Sequence, residues 1–350
     1  MPGIQINLKE VFMMEYPTHS PRKFLGMLQQ YRETQLLFAG ISLKVFDYLK
    51  HDTSAEKIAS MTGYDERNLT LFLNSLAAIG LLEKNNHQFR NTPEAELFLN
   101  QNSSYYLGEY LTFWNKMTGL DQVEELVRLG PDPAIQEQNQ GKELFDFRKL
   151  ARLTAVEART GRVQSFLRAA AQFVEATAPL RILDLGGGSG MMAIEFVRQF
   201  PLASGVIFEQ PGVADVPEEF VAEGHLEHRL SIMRGDFMTD PIGGNYDLII
   251  ASGILDFANA NLKELTSKIA QALTPSGYLY LVSHRVSDDY ISPKESIVGW
   301  LSSHLAGLDI LQTRSNIELA LTSAGFRKTE IKPLNGAIQS LMGEFYTLSK

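Results

Sequence analysis

At 350 residues the chain is longer than one usual core, so two domains are expected, and its 44% hydrophobic and 21% charged residues describe an ordinary soluble globular protein. A net charge of −9 argues against a nucleic-acid backbone as main partner, which would require a concentrated basic face, and favours a small-molecule partner. The lack of cysteine excludes disulfides and thiol chemistry; no apolar run approaches a membrane span, and Met1 to Pro17 carries Lys9, Glu10 and Glu15 where a leader would be apolar, so a cytoplasmic location is expected.

Residues 1–30, with breaks at Pro17 and Pro21, read as an irregular arm that packs on a partner subunit. The pattern predicts a helix from Arg32 to Leu49, then a second started by the capping box Thr53-Ser54-Ala55-Glu56 and ended near Gly63. A third starts at the N-cap Asp65, spaces Leu69, Phe72, Leu73, Leu76 and Ala77 along one face, and ends at Gly80. Leu81 to Lys84, the turn Asn85-Asn86 and His87 to Arg90 read as a hairpin. Three helices and a hairpin spell a winged helix over residues 1–105. Its third helix has Arg67 as its one basic residue, which speaks against DNA and for a homodimer surface.

Ser103 to Gly130 reads as helical, and its Tyr105, Tyr106, Tyr110, Phe113 and Trp114 suit either a pocket for a flat substrate or a core and dimer interface. Residues 131–140 read as a loop. Glu143 to Thr177 returns to helix, with Val163, Phe166, Leu167, Ala170 and Val174 on one face. Residues 106–178 are thus expected to form a helical connection that lines the substrate pocket, with the domain boundary within its Glu143 to Thr177 stretch.

Arg181 to Gly190 is a strand that runs into a glycine-rich turn, and Met191 to Phe200 continues as an amphipathic helix stopped by Pro201. Glycine there lets the backbone take positive φ and approach a cofactor, with the first helical N–H groups aimed at it. Gly205 to Phe208 is a second strand ending at Glu209, placed to accept both hydroxyls of a ribose. A dinucleotide site wants glycine or alanine three residues after Gly188, and that position is Met191. Further strands are predicted at Arg229 to Met233, Tyr246 to Ser252, Tyr278 to Ser283, Phe326 to Leu334 and Glu344 to Leu348, with helices at Asn261 to Leu273, ended by the turn Pro275-Ser276-Gly277, and at Ser315 to Gly325. This is an α/β Rossmann-like sheet over residues 179–350, its last strand antiparallel.

Leu183-Asp184-Leu185-Gly186-Gly187-Gly188-Ser189-Gly190, Phe208-Glu209-Gln210-Pro211 and Gly235-Asp236-Phe237 resemble motifs of the dimeric small-molecule O-methyltransferases, which join a winged-helix dimerisation domain to a class I S-adenosylmethionine-binding domain. The resemblance runs from about Arg32 to the C-terminus. It implies S-adenosylmethionine as cofactor, with Asp184, Gly186, Gly188 and Gly190 around its methionine part, Glu209 on the ribose, Asp236 and Phe237 on the adenine, and Ser252 at the end of the neighbouring strand as a further contact.

The departure lies in the catalytic motif. The family's Leu-His-Asp-Trp corresponds here to Gly253-Ile254-Leu255-Asp256-Phe257, and an alignment without a gap sets Asp256 at the histidine. The two flanking glutamates fall at His284 and near Thr313. A carboxylate of pKa about 4 is roughly 8 kcal/mol short of taking a phenol's proton, against about 5 for histidine, so Asp256 alone is a poor base. His284 as base, oriented by Asp256, restores the acid–base pair with positions exchanged. Asp256 reads equally as a helix N-cap and His284 as a packing histidine; His304 is a further candidate, while His225 and His228 make no convincing metal site. The expected activity is methyl transfer to a small acceptor, most often a hydroxyl. N- or C-methylation, other chemistry on the same cofactor, and a cofactor-sensing regulator are the alternatives.

Overall fold

The computed structural model describes residues 18–138, 145–308, 310–332 and 343–349. It divides into two compact units, Met1–Ser103 and Ser104–Lys350.

In the first unit a helix spans Arg22–Ser42. It begins directly after Pro21, so Pro21 opens the helix where a break was expected: the fixed φ of proline, −77° here, suits a helix start. Residues 1–17 of the expected arm, Pro17 among them, lie outside the described residues. The helix also ends earlier than Leu49, because Lys44 turns left-handed at φ 54° and a 3₁₀ turn, Val45–Tyr48, follows. Ser54 caps Ala55–Thr62 by accepting from the Lys57 N–H, Gly63 closes that helix at φ 76°, and Asp65 caps Glu66–Ala78 by accepting from Asn68. The wing is a three-stranded sheet in the order β1 (Thr53–Ser54), β3 (Gln88–Asn91), β2 (Leu82–Asn85), antiparallel throughout. Phe46, Leu49, Ile58, Leu73, Leu76 and Phe89 fill the core, while Phe24, Leu25, Met27, Leu28 and Tyr31 of the first helix stand exposed.

The second unit is built on a seven-stranded sheet in the order β6-β5-β4-β7-β8-β10-β9. Its strands are β4 (Arg181–Leu185), β5 (Ser204–Glu209), β6 (Leu230–Arg234), β7 (Tyr246–Ser252), β8 (Leu273–Val282), β9 (Phe326–Thr329) and β10 (Glu344–Leu348). β6 to β8 are parallel, and β10 runs antiparallel to both β8 and β9. The central strands are apolar at consecutive positions because both faces are covered: Ile182 and Ile250 pack with Phe166, Ile194 and Phe196 on one side, Leu183 and Ile249 with Leu265, Ile269 and Leu321 on the other.

Several predicted boundaries shift. The aromatic stretch is two helices, Gly108–Met117 and Val123–Leu129, and the expected loop at 131–140 contains the short helix Pro133–Gln138. The helix expected over Glu143 to Thr177 is Phe147–Ala158 and Arg162–Ala170, parted by Gly161 at φ 149°; Glu143 lies outside the described residues. Pro275-Ser276-Gly277 does not turn but continues β8, with a register shift opposite Tyr246 to Leu248. Gly277 makes this possible, since a Cβ there would lie 2.8 Å from the Tyr246 carbonyl oxygen. β9 ends at Thr329, short of Leu334, and Leu334 is outside the described residues. Among the described residues no helix is long and apolar enough to cross a membrane.

Candidate active site

The glycine turn sits at the C-terminal ends of the parallel strands, where open α/β sheets bind ligands. Gly186, Gly188 and Gly190 have φ of 62°, 57° and 72°. The Gly186 N–H donates to the Phe208 carbonyl at 2.8 Å, which ties the turn to β5. A Cβ on Gly190 would meet Ile207 Cδ1 at 2.7 Å, and one on Gly186 would meet Ile254 Cδ1 at 2.3 Å and Phe237 Cε1 at 3.3 Å. Around Gly188 there is nothing within 4 Å of that position, so the turn is packed at both ends and open in the middle.

Two buried carboxylates frame the opening. Asp184 accepts from the Ala193 N–H at 3.3 Å; burial pushes its carboxyl up to about 7, the Ala193 bond opposes the shift and the Glu209 charge adds to it. Glu209 accepts from the Gly188 N–H at 2.7 Å and the Gln210 N–H at 2.8 Å. Burial raises its pKa and those two bonds pull it back. A buried, doubly anchored carboxylate beside an open glycine cradle suits a ligand with vicinal hydroxyls. Gly235 donates to the Glu209 carbonyl at 3.1 Å, which brings the next turn alongside. In it Asp236 is exposed and accepts from the Met238 N–H, while Lys268 Nζ holds the Phe237 and Met238 carbonyls at 2.9 Å each. Phe237 stands against Gly186, with one ring edge toward the cradle. Ser252 ends β7 opposite Val282.

Ile254, which closes over Gly186, leads into the 3₁₀ turn Leu255–Phe257 and so ties the cradle to the second constellation. Asp256 is completely buried there. Its Oδ1 accepts from the His284 N–H at 3.0 Å, and its Oδ2 lies 3.4 Å from His284 Nδ1. The following helix, Leu262–Ala272, takes Asn261 as its N-cap, so the capping alternative for Asp256 does not hold. His284 Nε2 accepts a 3.0 Å bond from Trp300 Nε1. Trp300 packs edge-on against Trp114, Phe145 and Phe257, and Trp114 in turn against Tyr110, so an aromatic wall rises beside the imidazole.

Not every histidine joins this group. His304 stands against Tyr290, and His225 and His228 lie in the turn before β6, at the end of the sheet away from the glycine cradle. Thr313 caps the helix Arg314–Ser323 by accepting from Asn316. Sequence pattern does not single out Trp300 or Phe145, and Phe257 enters it only as the end of the catalytic motif; the sole signal for Trp300 is its rarity, as one of two tryptophans in the chain.

Residues 25–101 match the O-methyltransferase dimerisation domain and residues 155–327 the O-methyltransferase domain. The 3-hydroxy-5-methyl-1-naphthoate 3-O-methyltransferase of Streptomyces sahachiroi is 29% identical over 274 residues, which cover 73% of this chain and 75% of that one. The N,N-dimethyltransferase OxyT of Streptomyces rimosus is 25% identical over 348 residues, 94% of this chain and 96% of its own. The crystal structure of human N-acetylserotonin methyltransferase with SAM shares the fold at a TM-score of 0.73 and 21% identity, over 96% of this chain and 99% of that one. With both domains in one chain and the glycine cradle in place, the protein belongs to the family of homodimeric, S-adenosylmethionine-dependent O-methyltransferases that act on small molecules.

Proposed function

We propose that the acceptor is a hydroxyl on a small aromatic molecule and that His284, oriented by Asp256, is the base that takes its proton. The observation that supports this reading is the meeting of the two side chains: Asp256 is fully enclosed, binds the His284 backbone through one oxygen and faces its ring through the other. Asp256 therefore orients and does not itself touch an acceptor. Neutral histidine with the proton on Nδ1 leaves Nε2 as the basic atom, and the imidazolium formed after proton uptake is stabilised by the buried carboxylate. The aromatic wall of Tyr110, Trp114, Phe257 and Trp300 supports a flat acceptor, as does the likeness to a naphthoate O-methyltransferase.

Asp184, Gly186, Gly188 and Gly190 form the part of the cradle that holds the cofactor's amino-acid end, Glu209 accepts from its ribose hydroxyls, Asp236 and Phe237 bind and stack its adenine, and Ser252 borders the same opening. S-adenosylmethionine bound there supplies an electrophilic methyl group on a sulfonium. The chain's own part is alignment and proton removal: it fixes the acceptor oxygen in line and receives the proton at Nε2. A nitrogen acceptor is the second reading, favoured by the likeness to OxyT, whose name records N,N-dimethylation. Incubation with S-adenosylmethionine labelled in the methyl group, against matched naphthols, naphthylamines and naphthalenethiols, separates the two. Label in the methyl ethers supports the proposal; label confined to the amines would overturn it.

A further inference from the structure

A neutral imidazole has one lone pair in the ring plane, at the nitrogen that carries no proton. In His284, Nε2 accepts from Trp300 Nε1 at 3.0 Å, while Nδ1 lies 3.4 Å from Asp256 Oδ2 without a hydrogen bond between them. An indole nitrogen is a donor only, so the bond from Trp300 requires the imidazole proton to sit on Nδ1, toward the carboxylate. The lone pair that receives the indole N–H is also the one that an acceptor hydroxyl needs in order to be held and deprotonated. The two donors exclude one another.

Trp300 sits at a break between helices. It is the joint between two short helices, Lys294–Gly299 and Leu301–Leu305, closing the first and opening the second at φ −103° and ψ 1°. The first of these helices is fastened to His284 through Ser296 Oγ, which donates to the His284 carbonyl at 3.4 Å. The indole is half-buried, with its edge contacts to Trp114, Phe145 and Phe257 at 5.9, 6.1 and 5.3 Å between ring centres.

We infer that Trp300 is a positioning residue that fills the acceptor's hydrogen-bond site on His284 in the free enzyme and yields it to an aromatic hydroxyl. This rests on the reading of His284 as base. The occupant selected is an O–H donor on a flat ring: the hydroxyl replaces the indole N–H and the ring lies along Phe257 and Trp114. A methyl ether has no hydrogen to offer, so after transfer, once His284 has lost to solvent the proton it took, the indole N–H returns to Nε2 and the product is displaced.

The chain's two tryptophans give two indole resonances in a ¹H–¹⁵N spectrum, assigned with Trp114→Phe. In the complex with S-adenosylhomocysteine, phenol is expected to move the Trp300 resonance to the position it has in His284→Ala, and anisole is not. Trp300→Phe keeps a ring and loses the donor; it is expected to tighten phenol binding roughly 2- to 10-fold, the worth of one net hydrogen bond, and to leave anisole unchanged. A Trp300 resonance indifferent to His284→Ala, or to phenol that saturates the rest of the spectrum, overturns the inference. So does a Trp300→Phe variant that loses phenol and anisole alike, which marks a packing role. Methyl transfer that survives His284→Ala, with these spectral responses intact, would remove the base assignment and leave the exchange of donors standing.

Discussion

Asp184 gives the most direct handle on the electrostatics of the cradle. It is buried at the end of β4, and its carboxyl is held at about 7 against an ordinary 3.8, mainly by burial. A carboxyl whose folded pKa lies above its unfolded one costs nothing below the unfolded value, where both states are protonated; the cost grows as pH rises through the interval between them and is complete above the folded value. The full interval corresponds to about 4 kcal/mol, of which roughly 3 falls between pH 5 and pH 8. Asp184→Asn keeps an oxygen for the Ala193 N–H and removes the charge. Relative to the parent, the variant is expected to gain about 3 kcal/mol of stability on going from pH 5 to pH 8, read by urea unfolding of the cofactor-free protein at both values. A stability difference that is the same at the two pH values would refute the reasoning, because it would mean that Asp184 does not titrate in this window.

The glycines separate strain from crowding. Gly188→Ala meets open space and is expected to cost about 1 kcal/mol for its positive φ, whereas Gly190→Ala also drives a methyl into Ile207 and Pro217 and should cost about 2 to 4, both by urea midpoint. Glu209→Gln offers one carbonyl oxygen to two backbone N–H groups that now share a carboxylate, and it weakens the acceptor proposed for the ribose hydroxyls. Calorimetry with S-adenosylhomocysteine should show a loss of roughly 10- to 100-fold, from a charge-assisted bond worth about 1.5 to 3 kcal/mol.

Much of the architecture is legible in residue order because its signals are local. The run Arg181 to Gly190, with glycines where the backbone takes positive φ, announces strand, turn and helix, and Ser54, Gly63 and Asp65 mark helix ends that the structure keeps. Local signals also mislead where tertiary pairing overrides them. Pro275-Ser276-Gly277 carries the composition of a turn, yet pairing with β7 draws it into β8. Pro21 reads as a break and serves as a start. Asp256 and His284, 28 positions apart, enter the sequence reading through family resemblance and meet because β7 and β8 are neighbours. The bond from Trp300 to His284 has no counterpart in periodicity or composition, since it depends on how the helices after β8 fold back over its end.

The measurement that bears most directly on the proposed chemistry is single-turnover methyl transfer by His284→Gln at saturating S-adenosylmethionine and naphthol, with cofactor affinity determined on the same sample. Glutamine retains a polar side chain of comparable length and cannot accept the proton. With His284 as base, a rate lower by about 10²- to 10⁴-fold is expected, the usual contribution of a general base, with cofactor affinity unchanged. A rate within a few-fold of the parent would contradict it and return the acid–base pair of Asp256 and His284 to a structural role.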